Sequence, residues 1–228
     1  MKLAIVIPVY NEEKVIKGVI NSIPRKIKGV DKIEIIAVND GSTDNSAEEI
    51  KKTRAKLIDL PINLGYGGAS ITGLEVAKIL RSDIVVTFDG DGQHDSQDID
   101  KIIKPIIAHK TNIVIGTRFA DTQGMPFYKK WGIQTMNFII FCLSGSWVSD
   151  SQSGLKAFSK KALERLRFDT SGMEFASEVI IEARRKRLKI YEVPTQTIYT
   201  SYSKSKGQNL LNGVNIIIKI LYKQLVGP

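Results

Sequence analysis

The chain has 228 residues and a net charge of +9, and 43% of its residues are hydrophobic, which is ordinary for a soluble globular protein. A single cysteine, Cys142, excludes a disulfide framework and a cysteine-based metal site, and it favours a reducing cytosol. No apolar run comes near the ~18–20 residues that span a bilayer. The first residues lead directly into a strand-like segment, without the layout of a signal peptide.

The positive charge is concentrated in the second half of the chain. Residues 1–110 hold 16 basic and 16 acidic residues, whereas residues 111–228 hold 17 basic and 8 acidic residues. This excess predicts an anionic partner for the second half, which could be a nucleic acid, a membrane surface or a phosphorylated substrate. The alternative is a solvated basic helix, and residues 184–187 alone would fit it.

Strands and helices alternate regularly in the first half. In chain order the predicted elements are strand 3–9, a helix to residue 21 with Asn11 as its N-cap, strand 33–38, helix 45–52, strand 55–60, helix 65–80, strand 84–88, helix 99–108 and strand 112–115. The strands are apolar almost throughout, so both faces of their sheet should be covered. The predicted fold class is α/β, with a mostly parallel central sheet and helices on both faces.

The second half is less regular. Its predicted elements are helix 128–143, strand 155–158, helix 175–187, strand 189–193, an extended segment 194–202 and helix 209–225. The last helix is amphipathic, with Ile216, Ile217, Ile220 and Leu221 opposite Lys219 and Lys223. Such a helix can lie in a membrane interface, and packing of its apolar side on the α/β core is the alternative. With no repeat or linker, residues 1–228 are predicted to form one domain.

Three polar clusters follow predicted strands, at the sheet edge where α/β proteins bind ligands. They occupy residues 8–13, 39–44 and 89–95. Asp89 and Asp91 alternate with glycines that allow a tight turn, and their oxygens suit a hard divalent cation such as Mg²⁺ or Mn²⁺. A polar turn held by its own side chains is the alternative.

Other ligand motifs are excluded or left open. The presence of only two histidines, His94 and His109, disfavours a histidine-based zinc site. Residues 65–68 contain three glycines, but Ser70 occupies the third position of a dinucleotide fingerprint, and no P-loop sequence is present. These glycines indicate either a close backbone approach at a helix start or direct ligand contact.

Segments along the whole chain resemble family 2 inverting glycosyltransferases of the GT-A fold. Residues 7–13, 38–44, 63–73 and 89–91 are similar to the nucleotide-sugar domain of that family. Residues 116–119, 150–158, 174–178, 192–194 and 203–206 are similar to its branch that glycosylates polyprenyl or dolichyl phosphate. The resemblance implies a GT-A fold with a nucleotide-sugar-binding half at residues 1–115. The acceptor-binding half would be residues 116–228, including the C-terminal amphipathic helix.

The resemblance also implies a role for each matching donor-site residue. Pro8, Tyr10 and Glu12 would line the pocket for the base and ribose, and Asp40 would contact the nucleotide. Asp89 and Asp91 would hold Mn²⁺ or Mg²⁺ on the diphosphate, with Gln93 as a further oxygen ligand. Asp91 is thereby also implied to be catalytic.

The remaining implied roles concern the acceptor and a loop. Arg118 would meet the acceptor phosphate and act in catalysis. Lys204 and Lys206, on a mobile loop, would close over the donor diphosphate, and a solvated turn is the alternative reading of these two lysines.

The predicted function is metal-dependent transfer of a sugar from GDP-mannose or a UDP-sugar to polyprenyl or dolichyl phosphate. The enzyme would work as a peripheral protein at the cytoplasmic face of the membrane. A hydroxyl acceptor, with Glu178 or Asp150 as base, is the alternative, and a sugar-phosphate nucleotidyltransferase is a third hypothesis. Nucleic-acid binding is disfavoured by the balanced charge of residues 1–110 and by the acidic clusters.

Overall fold

A seven-stranded sheet forms the centre of the protein, and a computed structural model describes residues 1–118, 127–196, 198 and 218–220. The strands are β1 (Lys2–Val9), β2 (Lys32–Asp40), β3 (Lys56–Leu60), β4 (Ile84–Thr87), β5 (Ile113–Thr117), β6 (Lys156–Ser159) and β7 (Ile190–Pro194). The helices are α1 (Ile16–Ser22), α2 (Ser46–Lys51), α3 (Gly65–Ile79), α4 (Asp98–Ile107), α5 (Phe127–Ser144), α6 (Lys160–Arg165) and α7 (Phe175–Arg185).

The strand order is β3-β2-β1-β4-β6-β5-β7, and six of these strands run parallel. The exception is β6, which pairs antiparallel with both β4 and β5. The carboxyl ends of the six parallel strands therefore meet at one edge of the sheet, and β6 begins at that same edge. The predicted α/β class with a mostly parallel sheet is confirmed.

Helices cover both faces of the sheet, as the apolar strands predict. In β1, Leu3, Ile5 and Ile7 pack with α1 and α4 on one face. Alternate residues, Ala4 and Val6, pack with α3, α6 and α7 on the other face. Successive side chains of a strand point to opposite faces, so a strand that is apolar at every position joins both core clusters.

Two helices differ from the predicted ones. Helix α1 begins at Ile16 rather than after Asn11, and Asn11 has a φ of 55°. The side chain of Asn11 accepts a hydrogen bond from the backbone N–H of Thr43 at 2.8 Å, so it holds the turn after β2 and does not cap α1. Helix α6 was not predicted, and the Ser159 hydroxyl caps its start by accepting from the Ala162 N–H.

A third apolar cluster joins the two long helices of the second half. Met136 and Ile140 of α5 pack with Ile180 and Ile181 of α7 and with Ile220. The described part of the predicted last helix, residues 218–220, is helical, and its Ile220 packs on the protein interior. The rest of the predicted helix 209–225 lies outside the described residues. No helix in the described parts of the chain is long and apolar enough to cross a membrane.

Candidate active site

Asp89 lies two residues beyond the end of β4, and both of its carboxylate oxygens have partners. The Tyr66 hydroxyl donates to Oδ1 at 3.0 Å, and Nε2 of His94 lies 3.0 Å from Oδ2. Burial opposes ionisation of Asp89, but the hydrogen bond with His94 and the neighbouring donors outweigh it and lower the pKa of Asp89. Burial followed by the charge of Asp89 raises the pKa of Tyr66, so its hydroxyl keeps the proton that it donates.

Asp91 is the second carboxylate of the turn and is held by Gln93. The backbone N–H of Gln93 donates to Oδ1 at 3.0 Å, and its side-chain amide nitrogen donates to Oδ2 at 2.6 Å. Burial and then the charge of Asp89 raise the pKa of Asp91, and Glu12 adds to this rise. The structure therefore gathers Glu12, Asp89 and Asp91 into one region of concentrated negative charge.

The carboxylates of this turn fit a hard divalent cation. The charge of Asp89 disfavours ionisation of the neighbouring Asp91, and a cation such as Mg²⁺ or Mn²⁺ would offset this repulsion. Within the described residues no group of three or more His, Cys, Asp or Glu side chains forms a complete metal cage. An ion held here by Asp91 and its neighbours would need oxygens from a ligand, as is usual for Mg²⁺ at phosphate sites.

Asp40 anchors the glycine-rich start of α3. Asp40 is 2% exposed, and its carboxylate accepts from the N–H groups of Leu64 at 2.7 Å and Gly65 at 2.9 Å. Gly65 has a φ of +85°, a conformation that suits glycine. A Cβ on Gly67 would lie 2.7 Å from the carbonyl oxygens of Thr170 and Gly172. Of the two interpretations of these glycines, close backbone approach is the one that the structure shows.

Replacing Gly67 with alanine is expected to lower the free energy of unfolding by about 2–4 kcal/mol, since backbone carbonyls cannot yield to the new methyl group. Gly18 of α1 is the matched control, because a Cβ there meets no atom within 4 Å. Gly18→Ala should raise the stability by about 0.5–1 kcal/mol through helix propensity. Urea denaturation measures both, and equal effects would contradict the steric argument.

The residues predicted to line the nucleotide pocket lie at the end of β1. Pro8 is beside the aspartate turn, since its carbonyl oxygen would be 3.1 Å from a Cβ on Gly90. Glu12 is buried, and its backbone N–H donates to the Ser46 hydroxyl at 2.8 Å. Tyr10 is 47% exposed. Pro8 and Glu12 are thus near the aspartate turn, and the contact of all three residues with a nucleotide stays a prediction.

Arg118 follows β5 at the same edge of the sheet and forms a two-pronged ion pair. Its Nε lies 2.7 Å from Oδ2 of Asp150, and its Nη2 lies 2.8 Å from Oδ1. The backbone N–H of Arg118 also donates to Asp150, which is fully buried. The Arg118 side chain is 23% exposed, and Asp150 fixes its orientation.

The loop before β6 joins the two parts of the site. Asp150 holds Arg118, and four residues later the backbone of Gly154 lies directly against the carboxylate of Asp89. The Gly154 carbonyl accepts from the hydroxyl of Thr87 at 2.8 Å. Asn137 of α5 fixes the same loop by accepting from the Ser151 N–H at 2.9 Å. Asp89 and Arg118 are therefore neighbours across one short segment.

Sequence reasoning missed three residues of this site: Tyr66, His94 and Lys156. The first two contact Asp89, and Lys156 is buried below the loop. Tyr66 lies within the glycine-rich segment and His94 within the aspartate cluster, so their positions in the sequence could have indicated that they belong to the site.

Lys204 and Lys206 lie outside the described residues. Residue 198, which precedes them in the chain, is anchored at the site, because the Ile198 N–H donates to the carbonyl of Gln93 at 2.8 Å.

Glu178, the candidate base for a hydroxyl acceptor, has a structural contact instead. It accepts from the Thr170 hydroxyl at 2.5 Å and from two backbone N–H groups, so its carboxylate holds the loop that packs on the start of α3.

The model of the family "Glycosyl transferase family 2" matches residues 4–167, which include both aspartates of the turn, Arg118 and the loop before β6. The chain belongs to glycosyl transferase family 2. It is a glycosyltransferase, and the resemblance seen in its motifs is confirmed.

Curated relatives of this glycosyltransferase act on dolichyl phosphate according to their names. The UDP-N-acetylglucosamine–dolichyl-phosphate N-acetylglucosaminyltransferase of Methanococcus voltae is 41% identical over 95% of this chain and 94% of its own length. The dolichol-phosphate mannosyltransferase of Pyrococcus furiosus is 28% identical over 95% of this chain and 61% of its own length.

Solved structures confirm the GT-A fold of this glycosyltransferase. Glucosyl-3-phosphoglycerate synthase from Mycobacterium tuberculosis, crystallised with Mn²⁺, UDP and glucosyl-3-phosphoglycerate, superposes with a TM-score of 0.74 at 21% identity. The match covers 99% of this chain and 79% of that one. The same enzyme with Mg²⁺ and UDP gives a TM-score of 0.69 at 20% identity, over 99% of this chain and 78% of that one.

Proposed function

We propose that this glycosyltransferase moves a sugar from a UDP-sugar or GDP-mannose to the phosphate of a polyprenyl or dolichyl lipid, with inversion at the sugar. The observation that carries the proposal is the junction of Asp89 and the Arg118–Asp150 pair across the loop before β6. An acidic turn suited to a metal-bound diphosphate thus adjoins a fixed guanidinium suited to a second phosphate. The dolichyl-phosphate relatives support a lipid phosphate as the acceptor.

The donor half of the proposal concerns the nucleotide. Pro8, Tyr10 and Glu12 would surround the base and ribose at the end of β1. Asp40 would act mainly by fixing the glycine-rich start of α3, since two backbone N–H groups already bind its carboxylate. Further acceptor capacity remains on each carboxylate oxygen for a nucleotide hydroxyl.

Asp89, Asp91 and Gln93 would hold Mn²⁺ or Mg²⁺ against the diphosphate. When bound, the cation would supply charge neutralisation for the leaving nucleoside diphosphate. The Asp89 carboxylate is fixed by Tyr66 and His94, and Asp91 by Gln93, so the turn is ordered before a ligand arrives. A preordered site of this kind spends little free energy on rearrangement when charge develops.

Lys204 and Lys206 would close over the donor diphosphate and add positive charge to it. The anchoring of residue 198 on Gln93 supports this role, because Lys204 follows six residues later and a segment that short spans at most about 20 Å.

Arg118 would orient the acceptor phosphate. A guanidinium binds phosphate through paired N–H groups, and its pairing with the buried Asp150 fixes the direction in which the remaining face points. The oxygen of a lipid phosphate is already an anion at neutral pH, so the attack on the sugar carbon needs no strong general base. The chain's own residues would align the two substrates and keep their negative charges apart.

The hydroxyl-acceptor alternative is less well supported. Its two candidate bases, Glu178 and Asp150, are engaged by the 169–170 loop and by Arg118. A nucleotidyltransferase would release pyrophosphate rather than a nucleoside diphosphate, and the dolichyl-phosphate relatives favour glycosyl transfer.

We also propose a peripheral contact with the cytoplasmic face of the membrane, through the second half of the chain. Trp131 and Phe138 of α5 are each 58% exposed, and Trp147 after α5 is 62% exposed. A basic cleft of about 810 Å³ lies next to Trp147 and is lined by Arg184 and other cations. Exposed aromatic side chains beside basic residues favour an anionic lipid surface. Ile220, which the sequence placed on the membrane-facing side of the last helix, is buried. Among the described residues the exposed aromatic side chains are therefore the ones proposed to contact the membrane.

The test is transfer of label into an organic phase. The full chain is incubated with Mn²⁺, polyprenyl phosphate in phosphatidylglycerol vesicles, and radiolabelled UDP-N-acetylglucosamine, UDP-glucose or GDP-mannose in separate reactions. One donor should label the lipid and release a nucleoside diphosphate. Replacing Trp131 and Phe138 together with serine should lower transfer in vesicles by about fivefold or more, since two exposed aromatic side chains could no longer insert into the lipid surface.

The control for the vesicle arm is Ile79→Ser on α3, where the isoleucine is 78% exposed and distant in sequence from the aromatic surface. It should leave vesicle transfer unchanged, and all three proteins should act equally on a short-chain acceptor in detergent. Labelling of a water-soluble saccharide instead of the lipid, or release of pyrophosphate, would overturn the proposed reaction. Equal losses in detergent and vesicles would overturn the membrane contact.

A further inference from the structure

Lys156 is a buried lysine at the point where the sheet departs from parallel order. It is the first residue of β6 and is 1% exposed. In the register of the sheet it lies between Thr87 of β4 and Ile115 of β5. Thr87 precedes Asp89 by two residues, and Ile115 precedes Arg118 by three. The antiparallel insertion of β6 thus places a lysine between the strand that leads to the aspartate turn and the strand that leads to the arginine.

The ammonium group of Lys156 interacts electrostatically with charged groups of both parts of the site. It donates a hydrogen bond to the carbonyl oxygen of Ser153, in the loop between them. Burial lowers the pKa of Lys156 to about 8, while Asp150 and then Asp89 counteract the fall and Arg118 adds to it. At neutral pH most molecules therefore carry the positive charge, which the charges of Asp150 and Asp89 stabilise.

A buried ammonium is costly unless carboxylates and hydrogen bonds compensate it. The same argument holds in reverse for the carboxylates, because Asp150 is fully buried and Asp89 packs against the Gly154 backbone. Arg118 compensates one of the two negative charges. Lys156 compensates the other, so the four groups together are neutral, and removing the lysine leaves one uncompensated negative charge shared by both parts of the site.

We propose that Lys156 is a positioning residue that holds the Asp89 carboxylate and the Asp150–Arg118 pair in their working arrangement at once. It touches neither substrate, because it lies below the loop that separates the two parts of the site. This inference rests on the proposed function where the KM for the acceptor is measured. The measurement of nucleotide affinity does not depend on which acceptor the enzyme uses. The consequence is specific: loss of the Lys156 charge should damage the donor and the acceptor side together.

The test compares Lys156→Met in the full chain with variants confined to one side. Two quantities are measured: the Mn²⁺-dependent affinity for UDP or GDP by calorimetry, and the KM for polyprenyl phosphate at saturating donor. Lys156→Met should worsen each by about tenfold or more, because an uncompensated buried charge disturbs the carboxylates of both sides. Tyr66→Phe, which removes a donor to Asp89, should weaken only nucleotide binding. Asp150→Asn, which weakens the grip on Arg118, should raise only the acceptor KM.

Two controls separate positioning from a general loss of packing. Lys156→Arg keeps the charge and should recover a large part of both quantities. Phe158→Leu lies two residues along β6 in the apolar core and should lower stability while moving neither quantity. Lys156→Gln serves if the methionine variant does not fold.

Each possible result either supports or overturns the positioning role of Lys156. Joint losses in Lys156→Met with recovery in Lys156→Arg support the positioning role. A change on one side alone, no change, or the same pattern in Phe158→Leu would overturn it. If the wild-type chain binds a nucleotide with Mn²⁺ but glycosylates no polyprenyl phosphate, the proposed acceptor fails, and the nucleotide affinity of Lys156→Met still tests the link to Asp89.

Discussion

Replacing Asp91 with asparagine is expected to lower kcat by about 10³-fold or more, the scale seen when electrostatic stabilisation of a developing charge is removed. Asparagine keeps the shape of the side chain and can still accept from the Gln93 N–H, and the Gln93 side-chain amide can turn so that its oxygen accepts from the new NH₂ group. The substitution removes the negative charge that would hold a divalent cation. Burial and the charge of Asp89 already disfavour a second ionised group at this turn, so stability should be unchanged or slightly higher. Mn²⁺-dependent nucleotide binding should weaken in parallel with kcat.

The matched control is Asp95→Asn on the same segment. Asp95 accepts from the Gln97 N–H at 2.9 Å, a local turn hydrogen bond that asparagine also makes. This variant should keep wild-type kcat and nucleotide affinity. Full activity of Asp91→Asn, or full activity of the wild type in excess EDTA, would contradict a metal-dependent donor site.

The strand and helix pattern predicted the fold well where local sequence alone determined it. The first five strands were found within two residues at each end, because each is a short apolar run enclosed by polar turns. The insertion of β6 between β4 and β5 could not be predicted, since pairing partners depend on the assembled sheet. Asn11 was wrongly predicted as a helix cap, because its side chain binds Thr43 in a different turn.

The candidate site, like the fold, was predictable from the sequence only in part. The spacing of Asp89 and Asp91 after an apolar strand indicated the acidic turn directly from sequence. The partners that fix Asp89 could not be predicted, because Tyr66 reaches it across 23 positions of the chain. The ion pair between Arg118 and Asp150 spans 32 positions. Such contacts arise only when the carboxyl ends of separate strands meet at one edge of the sheet.

Replacing Arg118 with methionine is expected to lower the free energy of unfolding by about 3–5 kcal/mol. The cause is Asp150, which is fully buried and accepts three hydrogen bonds from Arg118. The substitution removes the two that come from the side chain and leaves the one that comes from the backbone N–H. The KM for polyprenyl phosphate should rise at least about tenfold, since the substitution removes the guanidinium that we propose orients the acceptor phosphate. Urea denaturation and acceptor titration measure the two effects.

A double variant, Arg118→Met with Asp150→Leu, separates the two roles of the arginine. Replacing both members of a buried ion pair with apolar side chains is often neutral for stability, so this variant should recover most of the lost free energy of unfolding. It should not recover the acceptor KM, because a leucine and a methionine offer a phosphate neither charge nor a hydrogen bond. If the double variant regains both stability and acceptor binding, Arg118 serves only to neutralise Asp150, and the acceptor phosphate must be bound elsewhere. If only the stability is recovered, the buried Asp150 serves to orient the Arg118 guanidinium, and the guanidinium binds the acceptor phosphate.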